Sequence, residues 1–127
     1  RYGAIDIALD PTPYNGGTTS LQALWMGVPV ITLAGTNFVS RMGSSFLHAL
    51  GRPEWIAEDE DHYRSIARDL VNQLCTIRQG RADLRQQMVA SKLSDLEEYA
   101  SQFQQLLRRI WQHRCSGSFE RLITAKF

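Results

Sequence analysis

Two short apolar runs, set close together, constrain this chain more than any other feature. Residues 4–10 are mostly apolar and end at Asp10-Pro11-Thr12-Pro13. Proline has no N–H to give to a ladder, so the run reads as a strand that stops there. Residues 28–34 are β-branched and apolar and stop at Gly35, which reads as a second, buried strand. Only the 17 residues 11–27 separate them, enough for a loop and one short helix. That segment holds Gly16-Gly17, then Leu21, Leu24 and Trp25 at helical spacing, then Gly27 where a left-handed cap glycine belongs. A strand–loop–helix–strand unit with two near-continuous apolar strands predicts a parallel sheet covered on both faces, hence an α/β fold.

The rest of the chain reads as helix. The spacing predicts a helix over residues 38–50 with Phe38, Met42, Phe46 and Ala49 or Leu50 inward and Gly51 as its stop. Residues 54–57 suit a third, edge-like strand. The acidic run 58–61 complements the start of a helix whose stripe is Tyr63, Ile66, Ala67, Leu70, Val71 and Leu74. Leu84 and Met88 point inward from the next helical stretch. Ser94-Asp95-Leu96-Glu97 has capping-box spacing, ahead of a long helix with Tyr99, Phe103, Leu106, Leu107, Ile110 and Trp111 on one stripe. Trp25 and Trp111 are expected in the core. Ser116-Gly117-Ser118 should end the last helix, leaving a short helix or frayed tail.

Composition changes along the chain. Residues 1–57 hold three basic and three acidic side chains, and residues 58–127 hold eleven and ten, so a buried strand-and-turn region precedes solvated helices. The expected organisation is residues 1–75 as a nucleotide-binding region and 76–127 as a helical extension packed on it. The net charge of +1 gives no basic excess for nucleic acid, and no apolar run reaches the ~18 residues of a membrane span. The chain opens at Arg1, with no signal-peptide pattern, and a cytoplasmic location is expected. Cys75 and Cys115 are 40 residues apart and His48, His62 and His113 are scattered, so two free thiols are expected, with no metal and no cofactor.

The chemistry points to residues 15–20, Asn-Gly-Gly-Thr-Thr-Ser, between a strand end and a helix start. Free backbone N–H groups and the helix dipole favour phosphate there, and glycine lets the backbone come close. Ligands of open α/β sheets bind at this edge of the strands. No lysine follows the glycines, so this is not a P-loop, and the dinucleotide fingerprint is absent. A glycine turn with a threonine cap and no ligand satisfies the same residues.

The wording of three stretches goes further. Residues 6–19, residues 23–33 and the run Ser40-Arg41-Met42-Gly43-Ser44-Ser45 resemble the C-terminal catalytic region of the O-linked N-acetylglucosamine transferase family, including its SPINDLY-like and bacterial tetratricopeptide-linked members. The resemblance covers about residues 4–112 and is densest over 6–45. It implies a parallel-sheet, Rossmann-like C-terminal half of a GT-B glycosyltransferase, followed by amphipathic helices. It implies an inverting transfer of a sugar, typically N-acetylglucosamine from UDP-N-acetylglucosamine, to a protein Ser or Thr hydroxyl.

The resemblance also assigns residues. Thr18 and Thr19, with the backbone of Gly16 and Gly17, would hold the diphosphate. Gln22 stands where the family often has a ribose-binding aspartate, and Gly17 where it commonly has histidine. Tyr14 would lie beside the sugar. Apart from the resemblance, Ser40 and Arg41 could approach the phosphates, Arg41 being one of three basic residues in the first half; a helix-capping serine and a structural arginine is the other reading. The resemblance places the acceptor side, the candidate base and a lysine that neutralises the leaving diphosphate in a missing N-terminal half, with tetratricopeptide repeats further upstream. Asp10 is expected to anchor the turn and Asp6 to accept structural hydrogen bonds. The other readings are a non-catalytic or degenerate nucleotide-sugar-binding or protein-interaction module, and an unrelated α/β nucleotide-binding domain.

Overall fold

The computed structural model describes residues 2–116. The chain divides into two compact units between Ser94 and Asp95.

The first unit is a three-stranded parallel sheet with helices around it, in the order β1-β2-β3. β1 (Ala8–Leu9) pairs with β2 (Val30–Leu33) in parallel, with Ala8 opposite Val30 and Leu9 opposite Ile31. β3 (Ile56–Ala57) pairs in parallel with the other side of β2, with Thr32 opposite Ile56. α1 (Thr18–Trp25) joins β1 to β2, and α2 (Met42–Leu50) lies between β2 and β3. α3 (Glu60–Asn72), α4 (Leu74–Gln79) and α5 (Arg81–Ala90) follow. The parallel pairing expected of the two apolar runs is present.

β1 is shorter than the sequence predicts. Residues 2–4 form a 3-10 turn, and the carbonyls of Tyr2 and Ile5 accept from the Arg81 guanidinium instead of a ladder. Asp6 is held by Arg78 at 2.6 Å and Arg81 at 3.1 Å, which makes it the structural acceptor expected. Ladder bonding begins only at Ala8, whose N–H donates to Pro29 O at 2.9 Å.

The core is built from β2 outward. Val28, Val30 and Ile31 are buried with Ala23, Leu24, Leu47, Leu50, Ile66, Leu70, Leu84 and Met88. Burial of such side chains contributes roughly 1.5–3 kcal/mol each. Gly27 and Gly51 take φ of 73° and 78° and end α1 and α2 as predicted. A Cβ on Gly27 would overlap the backbone of Arg81, so that glycine also lets α5 pack closely.

Two expectations inside this unit fail. α2 begins at Met42 rather than Phe38, because Asn37 and Ser40 close a turn with reciprocal bonds, and Phe38 is 80% exposed instead of inward. In α2 it is Gly43, Ser44, Leu47 and Leu50 that are buried. Trp25 is 39% exposed rather than core, with the Arg85 guanidinium 4.8 Å above its ring. α3 follows its predicted stripe as far as Leu70, but Val71 is 54% exposed and the helix ends at Asn72, so that Leu74 falls in α4; Asp59 caps α3 by accepting from His62 N at 2.7 Å.

The second unit holds α6 (Leu96–Cys115). Its cap is Asp95, which accepts from Glu98 N at 2.9 Å, one residue later than the capping box predicts. Tyr99 and Phe103 stack with ring centroids 6.1 Å apart. No residue of α6 is buried, and Trp111 is 69% exposed, against the expectation of a core position. The predicted short helix or tail beyond Ser116 lies outside the described residues.

Candidate functional site

The β1–α1 loop and the first turn of α1 sit at the C-terminal edge of the strands. Asp10 organises them. It is only 4% exposed, and its Oδ1 accepts from Gly16 N at 2.7 Å and from the Ser20 hydroxyl at 3.0 Å. Its Oδ2 accepts from the Thr32 hydroxyl at 2.8 Å. A carboxylate removed from water must have its lone pairs satisfied, and three donors do so here. Asp10 therefore anchors the turn, as the sequence suggests, and does not face a ligand. Its main-chain oxygen accepts from the Tyr63 hydroxyl at 3.0 Å, which fixes the strand end to α3. Burial, and secondarily the Asp10 charge, push the Tyr63 phenol above its ordinary range.

Gly16 admits no side chain, because a Cβ would overlap the Ser20 hydroxyl. Gly17 is different: a Cβ there meets only Met42 Cε, at 3.3 Å. Gly17 is the N-cap of α1 and supplies no side-chain cap, so Thr18 is the first helical residue and not the cap. The first bond of the helix runs from Leu21 N to Gly17 O at 3.1 Å. Among the described residues the N–H groups of Thr18, Thr19 and Ser20 have no acceptor, and both threonine side chains are exposed. An uncapped helix start with exposed hydroxyls and open N–H groups is suited to an anion.

The other predicted residues gather around this turn unevenly. Gln22 is exposed on α1 one turn after Thr18, and its Oε1 accepts from the Tyr2 hydroxyl at 3.5 Å. Tyr14 is 67% exposed in the loop. Arg41 is exposed at the N-cap of α2; its N–H donates to Phe38 O at 3.2 Å, and its guanidinium makes no hydrogen bond or ion pair with the described residues. Ser40 is buried and bonded to Asn37, so it belongs to the loop's framework and does not cap α2.

Asn15 is what joins the two loops, and sequence reasoning quoted it without giving it that role. It is fully buried; its Nδ2 donates to Pro11 O at 3.1 Å and its N–H donates to Val39 O at 3.0 Å. Its Oδ1 accepts from Gly43 N at 3.4 Å. The asparagine–glycine pair signalled a turn, but nothing local announced a link to residues 39 and 43. Tyr63, 53 residues from Asp10, carried no signal at all.

Two cavities bear on where the site lies. One of about 280 Å³ is lined by Asp10, Thr12, Leu33, Glu60, Tyr63 and Arg64, at the strand edge that carries the turn. Another of about 470 Å³ lies at the opposite edge, among Gly27, Pro29, Trp55, Leu70 and Leu84, far along the strands from any open N–H of α1. The turn, not the roomier cavity, has the donors that a phosphate needs.

The parallel α/β unit, with an open helix start at its strand edge, has the fold of the C-terminal half of a GT-B glycosyltransferase. Residues 1–103 match the model of glycosyl transferase family 41, and the chain belongs to that family. It is 35% identical over 116 residues to a barley (Hordeum vulgare) protein named "Probable UDP-N-acetylglucosamine--peptide N-acetylglucosaminyltransferase SPINDLY", covering 91% of this chain and 12% of that one. It is 34% identical over 112 residues to the UDP-N-acetylglucosamine–peptide N-acetylglucosaminyltransferase of Caenorhabditis elegans, covering 88% and 10%. The structure of a mutant of the Thermobaculum terrenum O-GlcNAc transferase superposes with a TM-score of 0.82 at 38% identity, over 92% of this chain and 22% of that one. The chain thus spans about a tenth of the length of the curated relatives it matches. Among the described residues, no helix is long and apolar enough to cross a membrane.

Proposed function

We propose that this chain is the donor-binding part of an inverting glycosyltransferase that moves N-acetylglucosamine from its UDP-sugar to Ser or Thr hydroxyls of proteins. The observation that carries the reading is the open start of α1, with Thr18 and Thr19 exposed and their N–H groups unpaired. The acceptor oxygen attacks the anomeric carbon, the bond from that carbon to the β-phosphate oxygen breaks, and UDP leaves. Charge grows on the β-phosphate as that bond breaks. The N–H groups and hydroxyls of Thr18 and Thr19, with the backbone N–H of Gly17, stabilise it, because they are held in place before the reaction begins; the Gly16 N–H, given to Asp10 Oδ1 at 2.7 Å, holds the turn in shape instead. Gln22 reaches the ribose, Tyr14 flanks the sugar, and Arg41 is the free cation beside the phosphates.

The acceptor proton leaves to a base that belongs, in this reading, to an N-terminal catalytic half, with tetratricopeptide repeats before it and a cytoplasmic setting. No metal or other cofactor is required.

The test is calorimetry of the full-length protein with UDP and with uridine. Each lost charge-assisted bond is worth roughly 1.5–3 kcal/mol, so Thr18→Val with Thr19→Val should weaken UDP about tenfold or more per site. Uridine affinity should barely change. Equal UDP affinity in the variant and the wild type would reduce the turn to a plain helix start. A second reading, a non-catalytic sugar-nucleotide-binding or interaction module, draws on Gly17 and Gln22, which lack the imidazole and the charge of the family pattern. UDP binding without sugar transfer by the full-length protein would favour it.

A further inference from the structure

The β2–α2 loop holds a feature that donor binding does not use. Phe38 is 80% exposed, yet its loop is firmly fixed. Gly35 N donates to Ser40 O at 2.9 Å, Ser40 N to Asn37 Oδ1 at 3.0 Å, and the Ser40 hydroxyl to Asn37 O at 3.1 Å. Asn37 N donates to Ser40 Oγ at 3.3 Å and Arg41 N to Phe38 O at 3.2 Å. An aromatic side chain carried on a fixed backbone has only its own two rotations to lose when something covers it, and gains the benefit of burial.

Two observations decide what covers it. The bond from Asn15 N to Val39 O brings Phe38 beside the donor loop, with Tyr14 one residue before the link. Apart from the Arg41 guanidinium, the loop has little to give the donor: the N–H groups of Gly35, Asn37, Ser40 and Arg41 are already paired. In the first turn of α2 the Gly43 N–H is likewise given to Asn15 Oδ1, at 3.4 Å. The Phe38 surface offers apolar contact next to the sugar and little else. The reactant that needs such contact is the acceptor polypeptide.

We propose that Phe38 is an acceptor-specificity residue, which packs against an apolar side chain flanking the Ser or Thr that receives the sugar. The proposal rests on the donor site lying at the glycine–threonine turn. Its test uses the full-length protein, UDP-N-acetylglucosamine, and serine-centred peptides in which one flanking position at a time is Gly, Ala, Leu or Phe. The wild type should prefer Leu or Phe at one flanking position. Phe38→Ala should raise KM for those peptides about tenfold, towards the Gly peptide, the scale on which apolar contacts discriminate. The donor KM should stay within about twofold, since the variant leaves the turn untouched. Phe38→Leu should recover part of the preference.

Failure takes recognisable forms. Equal slowing of every peptide, a raised donor KM, or unchanged peptide preference with a lowered melting temperature would each overturn the role, the last because it would mean that Phe38 is covered by the protein itself. Absence of UDP binding by the wild type would instead overturn the donor-site reading on which the role rests.

Discussion

The Thr32 hydroxyl donates to Asp10 Oδ2 at 2.8 Å, joining the interior of β2 to the residue that ends β1, with both side chains buried. This bond, with those from Gly16 and Ser20, couples the glycine–threonine turn to the sheet. Asp10→Ala would leave three buried donors without their acceptor, and should cost about 3 kcal/mol or more of stability. Thr32→Val removes a single bond at nearly constant volume and should cost about 1–2 kcal/mol. Urea unfolding midpoints of the full-length protein, followed by a probe in this domain, check both. A smaller loss for Asp10→Ala than for Thr32→Val would contradict the hub.

The two glycines of the turn should respond in opposite ways. Gly16→Ala forces a Cβ into the Ser20 hydroxyl and should both destabilise the fold and weaken UDP. At Gly17 the only close neighbour is the flexible end of Met42, and φ is −100°. Gly17→His should therefore fold normally. Its imidazole would add a donor at the open helix start, so UDP affinity should rise by several-fold, on the scale of one hydrogen bond of ~1 kcal/mol. Calorimetry reads both; loss of UDP binding in Gly17→His would show that the turn has no room there.

Gly27 and Gly51 share a left-handed backbone but not their surroundings. Gly51 has nothing near its Cβ position, so Gly51→Ala should cost only the strain of positive φ, about 1–2 kcal/mol. Gly27 faces the backbone of Arg81, so Gly27→Ala adds an overlap that neither element can relieve cheaply, roughly 1–3 kcal/mol further. Comparative thermal denaturation should rank Gly27→Ala clearly below Gly51→Ala.

Asp6 makes stability depend on acid. Its hydrogen bond from Arg78, with further help from that charge and from Arg81, outweighs partial burial and holds its carboxyl below the usual range. A lowered carboxyl pKa means that the folded state binds the proton less readily than the unfolded chain does. The contribution is therefore present above the ordinary carboxylate value of about 3.9, and is lost as pH falls through the lower folded value. Asp6→Asn should lower the urea midpoint at pH 7, and the gap from wild type should close in strong acid. Arg78 is largely exposed, so the gap should be small and should shrink further in salt.

Much of the first unit was legible because its signals are local. Proline after Asp10, β-branched residues at 28–34, and glycines at 27 and 51 each act through their own backbone, so the parallel unit and both helix stops could be read without knowing any neighbour. Misreadings occurred where a side chain took a backbone group or covered a ring in a way that spacing does not show, from a distance at Arg81 and locally at Asn37 and Ser40. Arg81 took the carbonyls of Tyr2 and Ile5 and shortened β1. The Asn37–Ser40 turn delayed α2 and put Phe38 in water. Trp25 suited a helix stripe, but its ring is covered by Arg85 rather than by core.

The sequence by itself determined the α/β class, the position of the glycine–threonine turn and the family, because residue type and spacing along the chain are enough to specify them. Only the tertiary structure decided that Asp10 faces inward, that the start of α1 is left open, and that Asn15 ties the β1–α1 loop to residues 39 and 43. Those outcomes depend on which buried donor meets which acceptor across 22, 28 or 53 residues of chain, as for Thr32, Gly43 and Tyr63. Such partnerships are fixed by the requirement that every buried polar group be satisfied once the sheet has closed, and no local pattern encodes that requirement.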